Sequence, residues 1–246
     1  LPRPAAVGAL VLAAALGTAG CTGGSGPSAT TTTSAPTSAT SPASPTSSFT
    51  TTGEVFTASQ KALNAAASAH VKGRIADAGQ TMTIDLAGTR DGANQSVTVN
   101  LNEGEISILT VGGQFYLKAD GAFWKTQGLG TNADKLAGKY VQMPAAQAKA
   151  LADFSVSGFL SQVFTGKEAT AMAKSTAAPT QESVDGVSAY VVKDSGTAVY
   201  IATDTLLPVK LTAPNGAGTL EFSEWNAVKP FTAPAAGDIV DPATVK

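Results

Sequence analysis

The sequence predicts an α+β domain: one long, strongly curved antiparallel sheet of about 10–11 strands, with helices covering its apolar, concave face. Three observations carry this expectation. A capping-box signal, Thr51-x-x-Glu54, opens a run with helical apolar spacing. After it, apolar residues alternate in short segments between two-residue turn signals. A central stretch, Asn132 to Ala173, then loses that alternation and reads as helical.

Taken in order, the first helix carries Val55, Ala58, Ala62, Leu63, Ala66 and Ala67 on one stripe. Such a small-faced helix can lie close to a sheet. Turn signals then recur at Asp91-Gly92, Asn102-Glu103-Gly104, Gly112-Gly113 and Asp120-Gly121. Between them the side chains alternate, as the two faces of a strand require. In the central stretch, Pro144 suits a first helical turn ahead of Ala145 to Phe154, and an apolar patch surrounds Gly158. A second set of strands follows, punctuated by Asp185-Gly186, Ser195-Gly196 and Pro214-Asn215-Gly216. Sequential strands normally neighbour one another, so a single sheet is expected. A sheet that long must twist and curl, and its apolar face needs a cover.

The part before this domain has a different texture. From Pro4 to Gly53 there is no Lys, Arg, Asp or Glu. Ala5 to Leu16 is an unbroken run of small and apolar residues, about 12 long against roughly 20 for a membrane span, and it matches a secretory h-region. It ends in Thr18-Ala19-Gly20-Cys21, which resembles a bacterial lipobox, where the Cys is acylated and becomes the mature N-terminus. Residues 1–20 are therefore expected to be a lipoprotein signal peptide, with Cys21 a palmitate-type acyl anchor on the outer face of the cytoplasmic membrane. Residues 21–53 read as a Thr/Ser/Pro-rich tether with too little apolar surface to order itself. Residues 54–246 form the domain.

Composition narrows the chemistry. The net charge of −2 does not indicate a nucleic-acid surface. One Cys and one His leave no internal disulfide, no two-histidine metal centre and no CxxC zinc site. No metal or cofactor is expected, and no catalytic residue is assigned. His70, placed just past the first helix, is more readily a capping or exposed side chain than a base. Carboxylate pairs such as Glu103 with Glu105, or Glu221 with Glu224, have no motif that would converge them on one bond. Asn94-Gln95-Ser96 fits the N-glycosylation pattern by chance. Trp124 and Trp225 read as packing residues. Lys72, Arg74, Lys118 and Lys125 are candidate cations for an anionic headgroup if one edge gathers them.

Several stretches carry a family resemblance: Ala69-His70-Val71-Lys72-Gly73, Phe115-Tyr116-Leu117-Lys118, Val184-Asp185-Gly186-Val187-Ser188-Ala189-Tyr190, Leu207-Pro208-Val209-Lys210-Leu211 and Phe222-Ser223-Glu224-Trp225. In this order the chain resembles the LppX/LprAFG family of actinobacterial lipoproteins, relatives of the periplasmic carrier LolA. The resemblance implies a LolA-like half-barrel enclosing an apolar cavity that binds acylated lipids or glycolipids and carries them across the envelope. A membrane lipid transporter would be a further partner. The implied lining is Met82, Ile84, Leu86, Val97, Val99, Leu101, Ile106, Ile108, Phe115 and Leu117, then Val191, Val199 and Ile201. Helical Phe159, Leu160, Val163 and Phe164 join it as a lid or rim. The alternation itself fits a filled core equally well. The other reading is therefore an envelope regulatory module that senses lipid and binds a membrane partner protein.

Overall fold

The capping box forms in full. Thr51 Oγ1 accepts the Glu54 amide at 3.2 Å, and Glu54 Oε2 accepts the Thr50 and Thr51 amides at 2.8 and 3.2 Å. These bonds, the Thr50 amide first, hold the Glu54 carboxyl below its ordinary range. Helix α1, Thr52–Ala65, follows, and it buries Val55, Phe56, Ser59 and Leu63. The larger Phe56 therefore takes the inner face beside Val55, while Ala67 lies beyond the helix and exposed. The computed structural model describes residues 48–77, 80–101, 104–127, 132–143 and 155–241. Ordered contacts begin upstream of Glu54, since Phe49 packs edge-on against Tyr190 with ring centroids 5.6 Å apart. Cys21, the signal segment and most of the tether lie outside the described residues.

The first strand set is β1 (Ser68–Asp77), β2 (Gln80–Thr89), β3 (Asn94–Leu101), β4 (Gly104–Val111) and β5 (Gln114–Ala119). The second is β7 (Thr180–Val184), β8 (Val187–Asp194), β9 (Thr197–Ala202), β10 (Pro208–Thr212) and β11 (Gly218–Ser223). The turns Asp185-Gly186 and Ser195-Gly196 have positive φ at both residues, the type I′ geometry whose twist suits a two-residue hairpin.

Three elements depart from expectation. Asp120-Gly121 starts a helix, α2 (Gly121–Thr126), instead of turning a hairpin. Within the stretch read as helical, α3 (Ala133–Leu136) is followed by a strand, β6 (Tyr140–Met143), before α4 (Val156–Phe164) and α5 (Lys167–Ala173). A short β12 (Ile239–Val240) pairs in parallel with β6. Four residues are too few to show alternation, which is why β6 was not legible. The helix expected over Ala145 to Phe154 lies outside the described residues.

Among the described residues 12 strands form one sheet, in the order β12-β6-β5-β4-β3-β2-β1-β11-β10-β9-β8-β7. It is not closed, and every pairing except β12–β6 is antiparallel. Each set is a meander of neighbours in sequence. The two meanders join where β1 meets β11, with Val71 opposite Phe222 and Gly73 opposite Leu220. That join brings together residues about 150 apart in the chain.

One face of the sheet is apolar from β6 to β8, while β7 at the edge adds no buried side chain to it. Leu86 stands opposite Val71 and Val97, Val97 opposite Ile108, Ile108 opposite Leu117, and Leu117 opposite Val141. Buried side chains from all five helices named here join the same cluster, among them Phe56, Trp124, Leu136, Leu160 and Met172.

Beyond β11 the chain runs back as a strap. Asn226 donates its amide to the Ser68 carbonyl at 3.0 Å, and the Asn94 side chain both donates to and accepts from the Phe231 backbone at 2.9 and 2.8 Å. Val228, Phe231 and Pro234 are half-buried between exposed neighbours, a three-residue period that matches polyproline II. The asparagine of the glycosylation pattern is thus engaged in holding the strap.

Asp120 supplies a testable cap. Its Oδ1 accepts the Phe123 amide at 2.8 Å and its Oδ2 the Glu105 amide at 3.0 Å, joining α2 to the start of β4. The Phe123 bond is the main cause that holds the Asp120 carboxyl below its usual range. A depressed carboxyl stabilises the fold above its unfolded pKa of about 3.9, and that stability is lost as the pH falls through the lower folded value. Asp120→Ala is expected to lose about 1 kcal/mol at neutral pH. Melting curves of Asp120→Asn and the natural chain should converge as the pH falls below about 4. A constant gap would show that the carboxylate charge contributes nothing.

Candidate functional site

The site suggested by the sequence is the apolar face of the sheet. Ile84, Leu86, Val97, Val99, Ile108, Leu117, Val199 and Ile201 are buried members of the cluster, together with Leu160 and Phe164 of α4. Met82, Leu101, Ile106, Phe115, Phe159 and Val163 are partly buried and pack against it. Val191 does not belong with them. It stands opposite Tyr200, on the other face, while Tyr190 and Val192 point into the cluster. Ala189-Tyr190-Val191-Val192 is apolar in both alternation frames, and a one-residue slip moves every side chain to the opposite face.

Helix α4 meets the face through Val156, Leu160 and Phe164, one stripe at i, i+4 and i+8. Ser155 begins it by accepting the Gly158 amide at 3.0 Å. An aromatic chain runs from here through the domain. Phe164 lies 6.4 Å from Phe56 of α1 and 5.7 Å from Phe222 of β11, and Phe222 stacks on Trp225 at 6.2 Å. Trp225 Nε1 donates to the Pro208 carbonyl at 2.9 Å, so this tryptophan is a packing residue with a satisfied polar end.

Between α1 and α4 opens a cleft of about 250 Å³, lined by Gln60, Leu63, Asn64, Arg90, Leu160, Ser161, Phe164 and Thr165. Leu63, Leu160 and Phe164 are buried members of the apolar cluster, so the cleft has the core as its floor. Its walls are polar. Arg90, half-buried in the turn after β2, donates from Nη1 to the Leu63 carbonyl and from Nη2 to Asn64 Oδ1 at 3.0 Å. Gln60 Nε2 donates to the Phe164 carbonyl at 3.0 Å, tying the two helices across the opening. Arg90 was not singled out from the sequence. Its one signal is its place before Asp91-Gly92, which reads simply as a turn.

The cations that were singled out lie elsewhere. Lys72 is on the other face of β1, in a cross-strand row with Glu221 and Asp85, and its Nζ is 3.1 Å from Asp85 Oδ2. Arg74 shares that face of β1. Lys118 stands over the Tyr140 ring at 5.6 Å, and Lys125 pairs with Asp134 at 3.4 Å. One edge therefore does not gather them. His70 bridges two carboxylates on this second face, Nε2 to Asp85 Oδ1 at 2.7 Å and Nδ1 to Glu224 Oε1 at 3.1 Å. Through its two ring nitrogens it pins β1 to β2 and to the residue that follows β11. Glu103 lies outside the described residues.

Among the described residues no group of His, Cys, Asp and Glu could hold a metal ion, and no helix is long and apolar enough to cross a membrane. No protein-family model matches the chain, and no curated protein matches it.

Proposed function

We propose that this chain is an extracytoplasmic lipoprotein, anchored through Cys21, whose domain binds acylated lipids or glycolipids and carries or presents them across the envelope. The proposal includes the finer architecture: a sheet curled into a half-barrel whose concave face is the apolar one, closed by the helices. Twist of about 20–25° between neighbouring strands makes a sheet this broad curl. The observation that carries the reading is the continuity of the apolar face, from Met143 on β6 to Val192 on β8, with a cleft opening onto it between α1 and α4. The resemblance of the strand motifs, the lipobox and the tether points the same way. No catalytic role is assigned to any residue.

The energetics suit reversible carriage. Burying a 16-carbon chain away from water is worth roughly 12 kcal/mol, at about 0.8 kcal/mol per methylene. A client leaving a bilayer already has that stabilisation, so a protein cavity need only match the membrane. Exchange then runs close to balance.

The test is native mass spectrometry with lipid extraction on a Cys21→Ala protein exported in an actinobacterial host. Stoichiometric acylated lipid is expected, reduced when Ile84 or Val99 becomes Trp. Circular dichroism must show those variants folded, because overpacking costs about 1–3 kcal/mol. A stable, lipid-free protein would sink carriage and leave the regulatory reading, to be pursued by capture of a membrane partner.

A further inference from the structure

The cleft between α1 and α4 joins an apolar floor continuous with the core and a guanidinium that, among the described residues, faces neutral acceptors. The described residues place no carboxylate against Arg90. Its two bonded donors meet the Leu63 carbonyl and the Asn64 side-chain oxygen. A guanidinium carries five N–H donors in a planar fork, so donors remain for a ligand. By contrast Lys72, Lys125, Lys139 and Lys193 each have an acidic partner.

We infer that this cleft is the headgroup site for an anionic single-chain amphiphile, a long-chain carboxylate or monoalkyl phosphate, with Arg90 as the recognition residue. The inference rests on the lipid-binding reading and adds the ligand's charge and the place of its head. Arg90 donates to the anionic oxygens, while Asn64, Ser161 and Gln60 supply the remaining polar wall. The first carbons of the chain lie on Leu63, Leu160 and Phe164. Size supports this division. At about 30 Å³ per water-sized group, a cleft of about 250 Å³ holds a headgroup and a few carbons, not a whole chain. The rest of the chain extends beyond the cleft.

Arg90 has a structural task as well. Its positive charge lies at the C-terminal end of α1, whose last turn has no basic residue of its own. Two variants separate the tasks. Arg90→Gln removes the charge, and Ser161→Asp places a negative charge at the exposed cleft wall while leaving the Arg90 contacts in place.

The experiment is titration of the delipidated Cys21→Ala chain with palmitate, hexadecanol and inorganic phosphate, followed by calorimetry and native mass spectrometry. Palmitate is expected to bind at least about tenfold more tightly than hexadecanol, the scale of one charge-assisted hydrogen bond. Both variants should lose that preference. Equal binding of palmitate and hexadecanol, or unchanged palmitate binding by both variants, overturns the headgroup site but leaves lipid binding standing. Phosphate competing as well as palmitate overturns it too, by showing that the chain contributes nothing. Failure to bind either chain overturns lipid binding itself, and the headgroup site with it.

Discussion

Phe222→Ala is expected to lower stability by about 3–5 kcal/mol, the usual cost of deleting a buried Phe. The residue is 4% exposed and central to the aromatic chain linking α1, α4, β11 and the turn that starts the strap. Removing its ring leaves a cavity and takes a ring partner from both Phe164 and Trp225, each aromatic contact adding about 0.5–1.5 kcal/mol beyond burial. Urea denaturation should show the midpoint falling by about 1–2 M with an unchanged slope. Phe222→Leu keeps most of the volume and should cost less than about half as much. A loss below about 1 kcal/mol for the Ala variant would mean that the site collapses freely and that the aromatic chain does not bridge these elements.

Gly73→Ala is expected to be comparably damaging, although it adds a single methyl group. Gly73 lies on β1 opposite Leu220, and a Cβ there would collide with the Thr219 carbonyl oxygen and meet the Leu220 Cα at 2.9 Å. Backbone cannot yield as a flexible side chain can, so β1 and β11 must move apart. The loss should reach about 3 kcal/mol, the upper end of overpacking. Hydrogen exchange should show reduced protection first in β1 and β11, where the two meanders meet. Gly237→Ala is the control. No atom lies within 4 Å of its added Cβ, and its effect should stay within about 0.5 kcal/mol. Equal behaviour of the two variants would show that the close approach at Gly73 relaxes without loss.

Much of the fold was legible because its signals are local. The Thr51–Glu54 capping box lies within one helical turn. The type I′ turns at Asp185-Gly186 and Ser195-Gly196 need only two residues of suitable chemistry, and period-2 alternation in β2 to β5 needs only the strand itself. The candidate apolar face was legible for the same reason: its lining residues alternate in clear frames, apart from Val191. There the frame is ambiguous, since Tyr190, Val191 and Val192 are all apolar, and the pairing of Val192 with Val199 decides which side points inward. Arg90 was hidden because its importance comes from α1 and α4, one upstream and one far downstream in the chain, neither of which marks the turn itself.

By itself, then, the sequence determined the class of the domain, the two strand sets, most hairpin turns and the apolar character of one sheet face. Those properties follow from periodicity and turn chemistry, which act over a few residues. Tertiary structure alone decided that β1 pairs with β11, that Asp120 caps a helix in place of turning a hairpin, and that β6 and β12 extend the sheet. It also placed Lys72, Arg74 and Lys118 on the face opposite the apolar cluster and brought Arg90 to the α1–α4 cleft. These are choices of partner between distant segments, made where packing of Val71, Phe222 and Phe164 offsets the entropy of closing long loops.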